Sequence, residues 1–401
     1  MPVAGIITEY NPLHCGHLLQ MTRTRELLGG DTAIVCAMSG NFVQRGDFAL
    51  VRKHARAEAA VRSGADLVLE LPLPWAVSSA EGFSDGGVQV LAAAGLVTHL
   101  SFGSECGDAA VLCEAAAVLD SPAYREELRR RLDTGASYAA CRQAAAEALL
   151  GKEKAALLAQ PNNNLGVEYC RALARQGSDI VPVTVLRQGA AHDGAVVDGI
   201  ASASAVRTLV RQGQSGQALA LMAPAMAEVY CREEAAGRAP VLAETCERAV
   251  LARLRSMTEA EFAALDEGGE GLANRFRAAA QSAATLADLL AAVKTKRYAY
   301  ARLRRMALWA YLGITPGDRP ERVPYLRVLA ANERGRALLG QMRKTASLPV
   351  ITKPAEVRRM SPEVQRVFAL EARATDLYTL AYPELTAAAA GSEWTESPVI
   401  L

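Results

Sequence analysis

Short β-branched runs alternate with helical stretches through the first half of this chain, and that alternation restricts the fold more than any other feature. Candidate strands are 2–8, 32–38, 66–71, 97–103 and 179–186. Helical patterns run between and beside them over 17–28, 52–64, 81–95, 108–119, 122–132, 136–150 and 165–176. Strands separated by helices predict an α/β, Rossmann-like domain with a parallel sheet covered on both faces. Ligands in such sheets bind at the carboxyl ends of the strands. His14-Cys15-Gly16-His17, Met38-Ser39-Gly40, Gly103-Ser104-Glu105 and Arg187 all fall at such ends.

After about residue 213 Ala, Leu, Glu and Arg recur with helical period, which predicts a mainly α-helical second domain. The expected division is 1–212 for the sheet domain, 213–390 for the helical domain and 391–401 for a frayed tail. A loop is expected at Glu267–Gly271, a Gly/Pro-rich connector at 313–326, and a short strand or extended loop at 347–354. A length of 401 residues leaves each domain enough chain for its own core.

The first strand is followed by a polar turn (Thr8, Glu9, Asn11), then Pro12, then a helix that opens near Gly16. Helix N-terminal amides attract phosphate, and glycine allows a phosphate or ribose to approach the backbone. Two imidazoles three residues apart in the first turn supply donors for charge that develops on a phosphate. Further along, Ser202-Ala203-Ser204-Ala205-Val206-Arg207 opens another helix with small hydroxyls and a guanidinium fork, which suits a second phosphate contact. The polar loop 39–53 follows strand two, and Arg45 in it is a candidate partner for a phosphate or carboxylate.

His14-x-Gly16-His17 resembles the signature of the HIGH-motif nucleotidyltransferase superfamily. The longer string GIITEYNPLHCGH resembles the bacterial tRNA(Met) cytidine acetate ligase branch. Residues 38–72, FGSE (102–105), PNNNLGVEY (161–169), LRQGAAHDG (186–194) and SASAVR (202–207) extend the likeness through the first half; KRYAYARLRR (296–305) carries it more loosely into the second. The resemblance implies an ATP-dependent ligase. Acetate would become acetyl-adenylate, and the acetyl group would pass to the exocyclic amine of the wobble cytidine of elongator tRNA(Met), giving N4-acetylcytidine. It implies His14 and His17 as the catalytic pair. ATP contacts would come from Ile7, Thr8, Glu9, Tyr10, Asn11, Pro12, Leu13, His14, Cys15, Gly16, His17, Leu18, Leu19 and Gln20, together with Gly103, Asn162 and Arg187.

Mg²⁺ is expected to accompany ATP, with Glu9, Glu70 and Glu105 as candidates to reach it through water. No spacing of His and Cys marks a protein metal site, and the eight cysteines form no CxxC pair. The net charge is +1, so an RNA partner must meet a local basic face. Lys296, Arg297, Arg304 and Arg305 form the densest such cluster. Arg297 and Arg304 are expected on one helix face, with Arg322 and Arg327 beside them. Aromatic residues, at 5%, are too few for a base-stacking platform. No apolar run is long enough for a membrane span, which points to a cytoplasmic protein; a homodimer remains open. Two other readings compete: a small-molecule adenylyltransferase, and a non-catalytic RNA-binding protein that retains a nucleotide pocket.

Overall fold

β1 (Val3–Thr8) and β2 (Ala33–Ser39) send alternate side chains to opposite faces of one sheet, and both faces are apolar. Val3, Ile7, Val35 and Ala37 enter one buried cluster, while Ile6, Ile34, Cys36 and Met38 enter another. A strand buried on both faces needs helices above and below it, which is how a parallel sheet is stabilised. The computed structural model describes residues 1–133, 136, 138–187, 201–265 and 271–401. Residues 188–194 of the LRQGAAHDG segment and most of the expected loop at Glu267–Gly271 lie outside them.

After β2 comes a small hairpin, β3 (Phe42–Val43) and β4 (Asp47–Phe48), then β5 (Leu67–Leu71), β6 (His99–Ser104) and β7 (Val181–Leu186). The second half adds β8 (Leu326–Ala331), β9 (Val350–Ile351) and β10 (Val399–Ile400). The main sheet runs β10-β8-β5-β2-β1-β6-β7, with β9 beside β8. Its pairs are parallel except β5 with β8, which is antiparallel. All five strands expected in the first half form.

The expected division at residue 212 needs correction. β8 belongs to the main sheet, and its Leu326 and Val328 join the same apolar cluster as Val35 and Leu69. Residues 213–390 are otherwise mainly helical, with a core built around Leu254, Phe276, Leu303 and Trp309. Phe42 and Phe48 of the hairpin lie in that same core, so each half contributes to the other's interior. Trp309 is buried, and its Nε1 donates to the Val77 carbonyl at 2.7 Å.

The tail expected to fray is folded. Glu393 is 1% exposed and accepts from Lys53 Nζ at 2.7 Å, while β10 pairs with β8. Lys53 also donates to Glu70 at 2.6 Å, and Glu371 lies 3.9 Å away. Arg327 pairs with Glu393 from the other side. One buried ionic cluster thus ties the helix Lys53–Arg62, β5, β8, the helix Pro362–Thr379 and the tail together. Buried charges persist only when partnered in this way, so each element depends on the others. Three carboxylates face two cations here. Burial, reinforced by the negative Glu70, accordingly pushes Glu371 well above the usual carboxylate range.

Candidate functional site

The chain leaves β1 through Tyr10, whose backbone is left-handed with φ +45°. That conformation is costly for a residue with a Cβ and persists where packing enforces it. The Tyr10 ring is buried edge-on against His17, with centroids 4.9 Å apart, and its hydroxyl lies 3.5 Å from Cys36 Sγ. His14 caps the helix Cys15–Leu28: its Nδ1 accepts from the Gly16 amide at 3.0 Å. His17 reaches back, its Nδ1 accepting from the His14 amide at 3.2 Å. Both Nδ1 atoms are therefore acceptors, which places the proton of each neutral ring on Nε2. Burial, then the nearby Arg187 and Arg207, lowers the pKa of His14 to about 4. Burial and the His14 ring hold His17 well below its ordinary value. The pair is neutral at physiological pH, with two fixed N–H donors.

These rings border a cleft of about 380 Å³ at the carboxyl ends of β1, β6 and β7, with a side slot of about 40 Å³. Ile7, Thr8, Glu9, Tyr10, Asn11, His14, His17, Gln20, Gly103, Asn162 and Arg187 line the cleft, as do Arg45, Ser202, Ser204 and Arg207. Gly16 and Leu19 line the slot. Four residues of the expected ATP string do not reach either wall. Leu13 and Leu18 pack into the core under the loop, and Pro12 and Cys15 line neither space. Sequence reasoning left Phe83, Phe102, Leu165 and Tyr169 unassigned, and they supply the cleft's apolar wall. Helix and strand periodicity alike mark such residues as core, with nothing to say that their neighbours are absent on one side.

A second helix N-terminus faces the same space. Ser202 caps the helix Ala203–Arg211, its Oγ accepting from the Ala205 amide at 3.2 Å. Arg207 on that helix donates to the Asn11 carbonyl at 2.6 Å and to Ser204 Oγ at 3.2 Å. The histidine loop and the second helix N-terminus are therefore in direct contact. Beyond it, residues past 212 clamp the histidine loop: Met222 bridges His14, and the Ala223 amide donates to the Leu13 carbonyl at 3.0 Å. Opposite, Gly103 lies beneath Arg187, where a Cβ would sit 3.2 Å from the arginine Cγ. A side chain there would press on the aliphatic stem of Arg187, which would have to shift by a few tenths of an ångström.

The loop 39–53 is pinned rather than loosely solvated. Arg56, buried completely, donates to the carbonyls of Glu9, Ser39, Gly40 and Val51. Asn11 Oδ1 accepts from the Leu50 amide at 2.7 Å, and Glu9 accepts from the Gln44 amide at 2.9 Å. At the hairpin tip Gly46 (φ +73°) sits on the helix Tyr300–Leu312, leaving no room for a side chain against Arg305. The loop 39–53 is thus packed between the cleft and the helical half.

Two expectations about charge change. Glu70 is bonded to Lys53, and Glu105 holds the start of the helix Pro161–Arg175, so neither is free to serve a cation. Glu9 is the one carboxylate among the described lining residues, and no cluster of three metal-ligating side chains occurs among the described residues. In the basic cluster, Arg305 is 8% exposed and donates to the Gln44 carbonyl, and Arg327 is buried beside Glu393. Lys296 and Arg297 lie on an exposed turn before the helix Tyr300–Leu312, so Arg297 shares no helix face with the exposed Arg304. Among the described residues no helix is long and apolar enough to cross a membrane.

The family profile described as HIGH Nucleotidyl Transferase matches residues 1–393. The tRNA(Met) cytidine acetate ligase of Acetivibrio thermocellus is 36% identical over 416 residues, covering 100% of both chains. That of Syntrophomonas wolfei is 34% identical, covering 100% of this chain and 99% of its own. Among solved structures, Thermotoga maritima TmcAL bound with alpha-thio ATP superposes with a TM-score of 0.93 at 32% identity, with both chains covered completely. Its apo form gives 0.95 at 33%. The chain belongs to the HIGH nucleotidyltransferase family, in its tRNA(Met) cytidine acetate ligase branch.

Proposed function

We propose that this chain joins acetate to the wobble cytidine of elongator tRNA(Met) in two steps. An acetate oxygen first attacks the α-phosphorus of ATP, giving acetyl-adenylate and releasing pyrophosphate. The cytidine N4 amine then attacks the acetyl carbon; AMP departs, and the amine loses a proton. The observation that carries the reading is the pair of Nε2–H donors fixed between two helix N-termini. Such donors stabilise charge that grows on the α-phosphate oxygens in the transition state, and being neutral and fixed they need no rearrangement.

The remaining roles follow from position. The Ser202 cap and Arg207 receive the β- and γ-phosphates, and the Gly103–Arg187 pair receives the nucleoside. Arg45 faces the cleft from the pinned loop and suits the acetate carboxylate. Mg²⁺ would be held mainly by the ATP phosphates and water, with Glu9 the carboxylate among the described cleft-lining residues, and would neutralise phosphate charge. Lys296, Arg297 and Arg304 offer phosphate contacts to the tRNA. The deciding experiment incubates the protein with ATP, labelled acetate and tRNA, then analyses the nucleosides by mass spectrometry. Labelled N4-acetylcytidine is expected; pyrophosphate release without it would return the reading to an adenylyltransferase with another acceptor.

A further inference from the structure

Glu105 stands on the turn after β6 and holds the start of the helix Pro161–Arg175 across the chain. Its Oε1 accepts from Asn162 Nδ2 at 2.6 Å and from the Asn162 amide at 3.2 Å. Its Oε2 accepts from the Asn163 amide at 2.7 Å. In return, Asn163 Oδ1 accepts from the amides of Glu105 at 2.9 Å and Cys106 at 3.1 Å. The helix has no side-chain cap from Gln160, the residue before it. A carboxylate from the turn after β6 does that work, where the helix dipole favours negative charge.

The clamp has a consequence for the cleft. An asparagine amide has a donor end and an acceptor end, and a carboxylate can only accept. Nδ2 must therefore be the end that meets Glu105. Oδ1 is left as the free end of a side chain that lines the cleft, and among the described residues no donor meets it. We propose that Glu105 is a positioning residue: it locks the Asn162 amide so that the bound nucleotide meets an acceptor for one of its N–H or O–H groups. This rests on the nucleotide reading of the cleft. Without Glu105 either end of the amide could face the ligand, and the wrong end would set donor against donor.

A polarity swap tests this in the full-length chain, with ATP affinity read by calorimetry and folding followed by thermal melting. Asn162→Asp sets two carboxylates against each other and is expected to weaken ATP binding roughly tenfold, the cost of one mispaired hydrogen bond. Adding Glu105→Gln relieves the conflict: the glutamine Nε2 donates to the new carboxylate, its oxygen still accepts from the Asn163 amide, and the free carboxylate oxygen again offers the cleft an acceptor. Part of the lost affinity is expected to return. A merely structural role predicts a double variant no better than Asn162→Asp alone, and that result overturns the proposal. Asn162→Ala keeps the bonds from Glu105 to the helix amides, so it folds even if the swap does not. It should bind ATP roughly tenfold more weakly, and unchanged affinity would overturn the proposal. A wild-type chain that fails to bind ATP would instead remove the nucleotide reading on which all this rests.

Discussion

The backbone amide of His14 donates to Nδ1 of His17 across 3.2 Å, so the second histidine of the motif is oriented by the first. The first is held by the Gly16 amide. Helix capping and tautomer choice are therefore the same set of hydrogen bonds. His14→Ala or His17→Ala should lower acetyl-adenylate formation by roughly 10²–10³-fold, the usual loss when one transition-state donor is removed. ATP affinity should change far less. Single-turnover pyrophosphate release beside calorimetry separates the two, and normal turnover in both variants would remove the pair from the mechanism.

The low pKa of His14 also sets a pH signature. Its ring stays neutral in the folded state down to about pH 4, whereas the unfolded chain takes up a proton near the ordinary 6.5. The unfolded state thus binds more protons between those values, and stability is lost as pH falls through that window. One such group contributes a slope of at most about 1.4 kcal/mol per pH unit. His17 acts in the same direction. Urea melts of wild type and His14→Ala between pH 4.5 and 7.5 should show a shallower slope in the variant.

Glu371 has the opposite sign. Burial and Glu70 keep its carboxyl protonated in the folded chain above the ordinary value of 4.5, where the unfolded chain has lost the proton. Its contribution is therefore largest in acid and is lost as pH rises. Glu371→Gln keeps an acceptor for the Leu73 amide and removes the titration. The melting temperature of the variant relative to wild type should rise from pH 5 to pH 8. A constant difference would mean that Glu371 is ionised throughout.

The proposed tRNA surface has fewer members than the sequence suggests, since Arg305 and Arg327 are buried. Combined Lys296→Ala, Arg297→Ala and Arg304→Ala should weaken tRNA binding and make its salt dependence shallower, by up to about one unit of slope per lost phosphate contact. Adenylate formation without tRNA should stay near wild type. Arg305→Ala should behave differently, because its guanidinium lies under the hairpin. It should lower the melting temperature and leave the salt slope alone. Filter binding across a salt series checks both.

The strands β1, β2, β5, β6 and β7 were legible because short apolar runs that alternate with helical stretches have few other solutions. β8 was not. Its sequence, LRVLAA, sits between a connector and a helix in a half dominated by helical period, so it reads equally well as part of either. The two helix N-termini at the cleft were legible through Gly16, Ser202 and Arg207, whose chemistry is local. Arg305 and Arg327 misled for a physical reason: a buried arginine and a surface one look the same in sequence, and only the partner carboxylate or carbonyl tells them apart. Glu105 was misjudged in the same way, since its partners lie 57 and 58 residues away.

That interdependence reverses what the sequence suggests about dividing the chain. A fragment ending at Gln212 keeps His14, His17, Gly103, Asn162, Arg187 and Ser202–Arg207, and so holds every residue assigned to ATP. It loses Met222 and Ala223, which clamp the histidine loop, and β8, which covers the edge of β5. It also loses Glu371 and Glu393, leaving Lys53 and Glu70 with half a cluster in an exposed core. Breaking one buried pair costs about 3–5 kcal/mol, a large part of a typical domain's total stability. The fragment should therefore show no cooperative melt and no ATP binding by calorimetry. Removing only residues 391–401 should also destabilise the full chain, through loss of Glu393 and β10, while leaving the cleft residues in place. A fragment to Gln212 that melts cooperatively and binds ATP would show that the sheet domain folds alone, with the second half merely docked on it.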